Sequence, residues 1–454
     1  MSPSAFSLGL FTDFYELTMA QAYWQDGHNG PATFSLFFRD LPHDRGYLVF
    51  AGLYDVLDYL QELRFTAPDI DYLRSLHRFD VGFLDYLQNL RFTGSVRAMR
   101  EGTIVFANEP VIEIAAPLIE AQLIETMLVN EVNLQTILAT KASRVVYAAR
   151  GRQVIDFAAR RAHGIDAANK FSRASYLAGF DGTSNTLASA LYGIPVSGTM
   201  AHSLIMSYDS EINSFRVYAR SFPDSSTLLV DTYDTLSGTH KSAVVAEELK
   251  KHGHRLQAIR LDSGNLLELS RKARAILDGA ALKDVKIFAS GGLDEFQVHD
   301  LVYAGAPIDG FGVGTKVGVS ADAPWTDSVY KLVDYDGRTV LKLSNMKETL
   351  PGPKQVFRQR NSDGSYAYDI ITQANRLVDK AEPLLHEVMA NGKRLLPDEP
   401  LNVLRPRFAQ EFAYLPAGGK ALHSPTMYEV RTSVELERLR EQVVQETKKR
   451  EVSR

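Results

Sequence analysis

The sequence predicts an α/β protein, with a barrel of consecutive strand–helix units in mid-chain and a mixed α+β region around it. Three observations carry this. From about residue 153, short apolar runs end in polar or glycine-rich turns and lead into amphipathic helices. The strand ends Asp231, Asp262, Gly291 and Gly314 lie 31, 29 and 23 residues apart, the spacing of successive βα units in a parallel sheet with right-handed crossovers. Polar residues gather at each strand end, where such barrels put their active sites. An open doubly wound sheet is the alternative.

Along the chain, "TDFYELTMAQAYWQDG" reads as a helix capped at Thr12 or Asp13 and stopped by Gly27. The stretches 32–42 and 94–117 read as strands, the second broken at Gly102 and at Asn108–Pro110; residues 118–150 are long and apolar at helical spacing. Next come "QVIDF", "GIPVSGTMAHS", "TLLVDTYDT", "LQAIRLDSGN", "DVKIFASGG" and "PIDGFGVGTK" as strands, with helices after the third, fourth and fifth. After about 340, "LSNMKETLPGPKQVFRQ" reads as helix and turn, and "SVELERLREQVVQETKK" as a C-terminal helix with an apolar stripe at Leu436, Leu439 and Val443. The expected domains are therefore 1–130, α+β; 131–340, the barrel; and 341–454, packing back on the N-terminal part.

At 454 residues, two or three domains are expected. With 45% apolar and 23% charged residues the composition is that of a soluble globular protein. With no cysteine, disulfides and thiolate zinc sites are excluded. The first eleven residues carry no basic group and no apolar run reaches membrane-spanning length, so a cytoplasmic location without a membrane partner is expected. A net charge of −5 argues against a nucleic-acid partner. Yet Lys141, Arg144, Arg150, Arg152, Arg160, Arg161, Lys170 and Arg173 face only Asp156 and Asp166 within 141–173. That local field suits a small polyanion such as a phosphorylated metabolite; a basic surface helix is the plainer reading.

Several strand ends carry candidate chemistry. "SGG" (Ser290, Gly291, Gly292) and "GVGT" (ending Gly314, Thr315) follow consecutive late strands, and glycine lets backbone N–H groups approach phosphate oxygens without Cβ interference. In "RLDSGN", alternation puts Arg260 and Asp262 on one face. They are either a structural ion pair or a division of labour on a phosphorylated ribose, Arg on an anion and Asp on a hydroxyl or magnesium. "GTMAHS" presents Thr199, His202 and Ser203; His202 is a candidate nucleophile or acid–base group, with a structural histidine as the plainer reading. Asp231 and Asp234 of "DTYDT" sit at a strand mouth. "DFAARRAHG" sets a ring beside two guanidinium groups, as a flat anionic ligand would require; a solvated helix start is the alternative.

Taken in order, "TDFYELTMAQAY", "DFAARRAHG", "GFDGTSN", "GTMAHS", "RLDSGN", "ASGGLDE" and "GFGVGTK" strongly resemble the nicotinate phosphoribosyltransferase family, over residues 12 to about 316. The resemblance implies an irregular TIM-like α/β barrel beside a domain built from both chain ends. It implies joining of nicotinate to phosphoribosyl pyrophosphate, giving nicotinate mononucleotide and pyrophosphate, the entry step of NAD salvage. It further implies ATP as co-substrate, hydrolysed through a phosphohistidine at His202, a requirement for Mg2+, and a homodimer with shared active sites. The nicotinate ring would lie between Phe157 and the partner subunit's Tyr15, its carboxylate on Arg160, Thr199 and Arg260. Arg260, Asp262, Ser290, Gly291, Gly292, Gly314 and Thr315 would hold phosphoribosyl pyrophosphate, with Asp231 and Asp262 as candidate metal ligands.

Two rivals remain. A nicotinamide-using relative would favour an acid near the ring, whereas Met200 follows Thr199 here. A non-catalytic phosphosugar- or pyridine-binding barrel would share the cavity without turnover.

Overall fold

Consecutive βα units dominate residues 138–324, as their spacing requires. In the computed structural model, which describes residues 6–343, 349–395 and 397–451, the chain forms two compact units, Met1–Ile137 with Trp325–Arg454, and Leu138–Pro324. These boundaries differ from the sequence-based 130 and 340. The strand Ser328–Tyr335 leaves the barrel rhythm early, because it pairs antiparallel with Pro31–Phe38 of the first unit.

The second unit holds six strands: β1 (Gln153–Asp156), β2 (Gly182–Thr183), β3 (Thr227–Leu229), β4 (Ala258–Leu261), β5 (Lys286–Ala289) and β6 (Gly310–Val313). They pair in the order β2-β1-β6-β5-β4-β3, parallel throughout. Interleaved are α1 (Ile165–Leu177), α2 (Thr186–Tyr192), α3 (His202–Met206), α4 (Glu211–Ser221), α5 (Thr235–Lys251), α6 (Leu266–Gly279), α7 (Glu295–Tyr303) and α8 (Thr315–Gly318). The register sets Ile155 beside Gly312, and Phe288 beside Arg260. These residues, with Thr227, line one cavity; a flat sheet could not bring so many strands to one space, so the sheet curls into a barrel.

Polar residues at the strand mouths start the following helices. Asn185, Asp234, Asn265 and Asp294 accept backbone N–H bonds at the N-termini of α2, α5, α6 and α7, and Asp294 with Gln297 forms a capping box. Asp234 is thus tied to the amide of Ser237 (2.8 Å).

"GIPVSGTMAHS" does not form a full strand: only Val196 bridges, in parallel, to Thr183. Pro195 lacks the N–H that a ladder needs, and Gly198 weakens the rest.

The first unit is built on a seven-stranded sheet in the order Arg338–Thr339, Ser328–Tyr335, Pro31–Phe38, Pro110–Pro117, Ser95–Ala98, His386–Ala390 and Lys393–Arg394. The helices Phe14–Gln25, Leu53–Glu62 and Val81–Asn89 contribute apolar residues to its core. The helix-and-turn expectation after 340 is overturned. Lys354–Arg360 and Tyr366–Gln373 are antiparallel strands, held by buried Arg358 against Asp369 (2.6 Å); residues 344–348 of that stretch lie outside the described residues. The C-terminal helix is present as Val434–Glu451, with Leu436 and Val443 buried. No described helix is long and apolar enough to cross a membrane.

Near the start of Phe14–Gln25, the buried Glu16 carboxyl accepts from the Thr12 hydroxyl and from Thr126 (3.0 Å). Burial, with Glu125 and Asp13 nearby, lifts its pKa from 4.5 to about 7, against the two hydroxyls. The folded state therefore holds this proton more tightly than the unfolded state. Its contribution is complete below 4.5 and is lost as pH rises through about 7. The melting temperature should fall between pH 5 and 7.5, and Glu16→Gln should flatten that fall; an unchanged slope in the variant would assign the dependence to another group.

Candidate active site

The segment after β1 is fixed by a buried carboxylate. Asp156 accepts from the Ala158 amide (2.7 Å) and from the Thr183 and Ser172 hydroxyls (2.6 and 2.7 Å). Burial raises its pKa while those three bonds oppose the rise. Residues 157–164 form a turn rather than a helix start, with the Arg161 amide on the Ala158 carbonyl (2.8 Å). Asp156 is an anchor; the ring and the arginines after it are what the turn presents.

Phe157 donates its amide to Val313 (2.7 Å), and its ring lies against β6 where Gly312 has no side chain. A Cβ there would stand 2.4 Å from the ring. The Arg260 guanidinium sits 5.8 Å from the ring centroid and donates to the Thr199 hydroxyl. Its side chain is only 13% exposed, and its nearest carboxylate, Asp262, is 3.9 Å away. The Arg260 Nε is buried without a hydrogen-bond partner. Burial lowers the Arg260 pKa, Asp262 and Asp231 oppose this, and the positive charge of Arg160 adds to it. Exposed Arg160 thus acts on the same region. Phe157, Thr199 and Arg260 line a cavity of about 470 Å³, with Tyr218, Phe288 and Gly312 among its other walls.

A polar network adjoins it. His202 opens α3, with Nδ1 3.0 Å from the Thr232 hydroxyl and Nε2 3.9 Å from Asp262. Asp262 accepts from the Ser290 hydroxyl, and its amide donates to Asp231 Oδ2 (3.1 Å). Asp231 Oδ1 is buried and unpartnered. Gly291 (φ +100°) packs against the Asp262 carbonyl, where a Cβ would fall 2.0 Å from the oxygen. Among the described residues, the amides of Gly291, Gly292 and Thr315 donate no hydrogen bond. Gly314 packs beside the Phe157 carbonyl, 2.8 Å from where its Cβ would be. No group of three or more His, Asp or Glu side chains is gathered for a metal among the described residues.

The sequence-derived residues of the second unit therefore converge on the C-terminal ends of the strands: Phe157, Thr199 and Arg260 on the cavity, His202, Asp262, Ser290 and Asp231 in one network, and Gly314 beside Phe157. Tyr15 belongs to the first unit, on Phe14–Gln25, 49% exposed. Asp234 serves as a helix cap and Ser203 is exposed on α3. Sequence reasoning missed Thr232, the partner of His202, and the room that Gly312 makes for Phe157. The i, i+2 spacing of Gly310 and Gly312 on one face of β6 could have signalled the second.

A parallel barrel whose strand ends combine a ring, an under-paired buried guanidinium and free glycine-rich amides is an enzyme-type site for a small phosphorylated anion. Family profiles match the chain at 10–133 (nicotinate phosphoribosyltransferase N-terminal domain), 152–335 (nicotinate phosphoribosyltransferase family) and 377–440 (C-terminal domain). It is 51% identical over 388 residues to a nicotinate phosphoribosyltransferase of Mycobacterium tuberculosis, pncB2, covering 85% of this chain and 82% of that one. It is 44% identical over 417 residues to the Bacillus subtilis nicotinate phosphoribosyltransferase, covering 89% and 82%. The crystal structure of human nicotinic acid phosphoribosyltransferase superposes with a TM-score of 0.87 at 29% identity, covering 95% and 99%. The chain belongs to the nicotinate phosphoribosyltransferase family.

Gly312→Ala should force the Phe157 ring from its place and cost about 1–3 kcal/mol of stability, as overpacking does. Urea unfolding measures this, and a variant as stable as the parent would show that the ring has room to yield.

Proposed function

We propose that this protein joins nicotinate to phosphoribosyl pyrophosphate, forming nicotinate mononucleotide and pyrophosphate, with ATP hydrolysed in the same cycle. The observation that carries the reading is the buried, incompletely paired Arg260 beside the Phe157 ring and the Thr199 hydroxyl. The ring stacks on a flat pyridine through area and quadrupole. Arg260 and Thr199, with Arg160 from the exposed turn, meet its carboxylate by charge-assisted bonds.

In the transfer, the pyridine nitrogen lone pair forms the bond to ribose C1, and the C1–O bond breaks with its electrons leaving on pyrophosphate. The pyridine nitrogen is a weak nucleophile, so the site must hold it in line and stabilise the departing charge. The free amides of Gly291, Gly292 and Thr315, with Arg260 and the turns at Ser290 and Gly314, supply donors for phosphate oxygens. Asp262 accepts ribose hydroxyls.

Mg2+ fits the same place. It is bound through one or two carboxylates plus substrate phosphates rather than by a protein cage, and the unpartnered Asp231 Oδ1 and the Asp262 carboxylate would hold it. There it would neutralise phosphate charge.

His202 is the residue for ATP coupling. An imidazole nitrogen forms a bond to the γ-phosphorus as the bond to ADP breaks, and water later cleaves the N–P bond to release phosphate. The added charge of about −1.5 to −2 beside Asp262 gives the cycle a means of altering affinity between its stages.

Self-association completes the site in this reading, the partner subunit's Tyr15 covering the ring face opposite Phe157. Exposed apolar side chains support it: Leu8, Phe11 and Phe14 near Tyr15 in the first unit, and Ile165, Leu187, Leu191 and Val196 in the second. Leu187 and Leu191 lie one turn apart on α2 and share a face, and contiguous apolar surface marks an interaction face.

Pyrophosphate release tests the reading. Nicotinate should exceed nicotinamide in kcat/KM by on the order of 100-fold, since only the acid answers the buried cation. Nicotinate binding without pyrophosphate release, or preference for the amide, overturns it. Arg260→Ala should raise KM for nicotinate by about 10- to 100-fold through loss of a charge-assisted contact. His202→Ala should abolish ATP hydrolysis and the ATP stimulation while keeping slow ATP-independent synthesis; ATP consumed in step with product by that variant would remove His202 from the coupling role.

A further inference from the structure

A second cavity, of about 370 Å³, opens between α4 and the C-terminal end of α5, away from the strands. We infer that it is a binding site for a small phosphate monoester with a flat or compact apolar body.

The floor is apolar: Ala219 from α4, Pro223 from the turn after it, and Val245 and Leu249 from α5. The rim is cationic, and its groups are unevenly committed. Arg216 grips both oxygens of Glu248, the one acid lining the cleft, at 2.7–3.1 Å. This ion pair holds the Glu248 carboxyl below its ordinary range and neutralises the acid that would otherwise repel an anion.

Arg220, one turn further along α4, has no hydrogen-bond or ion-pair partner among the described residues, yet its side chain lines the cavity. The two histidines are held by their other nitrogen. His252 Nδ1 donates to the Glu248 carbonyl (2.9 Å), and His254 Nδ1 meets Asp224 (2.9 Å). Both rings are thereby oriented, with Nδ1 carrying the hydrogen and Nε2 left as an uncommitted acceptor. A free guanidinium fork over an apolar floor matches a phosphate head with an apolar body, the two imidazole acceptors at the rim suit its P–OH or hydroxyl protons, and the volume falls in the range of small-ligand sites.

Helical periodicity separates this cleft from the reaction cavity. Arg216, Ala219 and Arg220 point to the cleft, whereas Tyr218 and, just past the helix end, Phe222 line the barrel cavity. The two sites use opposite faces of one helix and share no lining residue.

The test is calorimetric titration of the full chain with adenosine 5′-monophosphate and, separately, with inorganic phosphate. The proteins are the parent, Arg220→Ala and Arg260→Ala, with pyrophosphate release by Arg220→Ala as the control for folding. Adenosine monophosphate should bind the parent and Arg260→Ala alike, and Arg220→Ala about tenfold more weakly, as loss of a charge-assisted contact implies. Inorganic phosphate should bind more weakly than the monoester because it leaves the floor uncovered. Equal affinity of Arg220→Ala and the parent, no heat at millimolar monoester, or loss of binding in Arg260→Ala instead would each overturn the assignment. Equal affinity for phosphate and monoester would overturn the apolar-body part of it. None of these results bears on pyrophosphate release by the parent, so the two readings fail separately.

Discussion

A guanidinium group held largely out of water, with its closest carboxylate 3.9 Å away and one nitrogen without a partner, is the constraint around which the barrel is arranged. Burying a charge without close pairing is costly, and proteins normally avoid it by pairing the group or leaving it at the surface. Here Arg260 instead faces a ring, a hydroxyl and an open cavity. In the proposed reaction the nicotinate carboxylate would bring the missing counter-charge. Asp262 cannot supply it fully, because it also receives the Ser290 hydroxyl and stands near His202. One carboxylate is divided among three neighbours, so a change in charge on any of them is felt by the others.

The backbone supports this arrangement with few side chains. Asp156 ties the turn that carries Phe157 and Arg160 to α1 and β2. Gly291 lets the loop after β5 rest on the Asp262 carbonyl. Neighbouring strand ends are thereby locked together through one carboxylate and one main-chain contact, and the amides of Gly291, Gly292 and Thr315 keep no internal partner.

Much of this was legible in the sequence because parallel βα units have a fixed length and place their chemistry at strand ends. Asp231, Asp262, Gly291 and Gly314 marked those ends from spacing alone, and Phe157, Thr199, His202 and Arg260 lie with them. What was not legible has physical reasons. "GIPVSGTMAHS" has the apolar start of a strand, but its proline and glycine reduce pairing to one bridge at Val196. The strands Lys354–Arg360 and Tyr366–Gln373 were hidden because Arg358 and Asp369 are polar in sequence yet buried against one another; a hydropathy pattern cannot anticipate ion pairing across strands. Thr232 was passed over because an uncharged hydroxyl between two acids gives no sign of the histidine it meets, thirty residues earlier in the chain.

The contact between Phe157 and Gly312 fixes how far the ring can retreat from the cavity. On that side the aromatic ring already lies on bare main chain, and no residue is smaller than glycine. The limit there is therefore set by the main chain of β6, whereas the other walls, Tyr218, Phe222 and Phe288 among them, are side chains. Bulkier pyridine analogues will gain no room from substitutions in β6; accommodation has to come from trimming the ring itself or from the opposite wall.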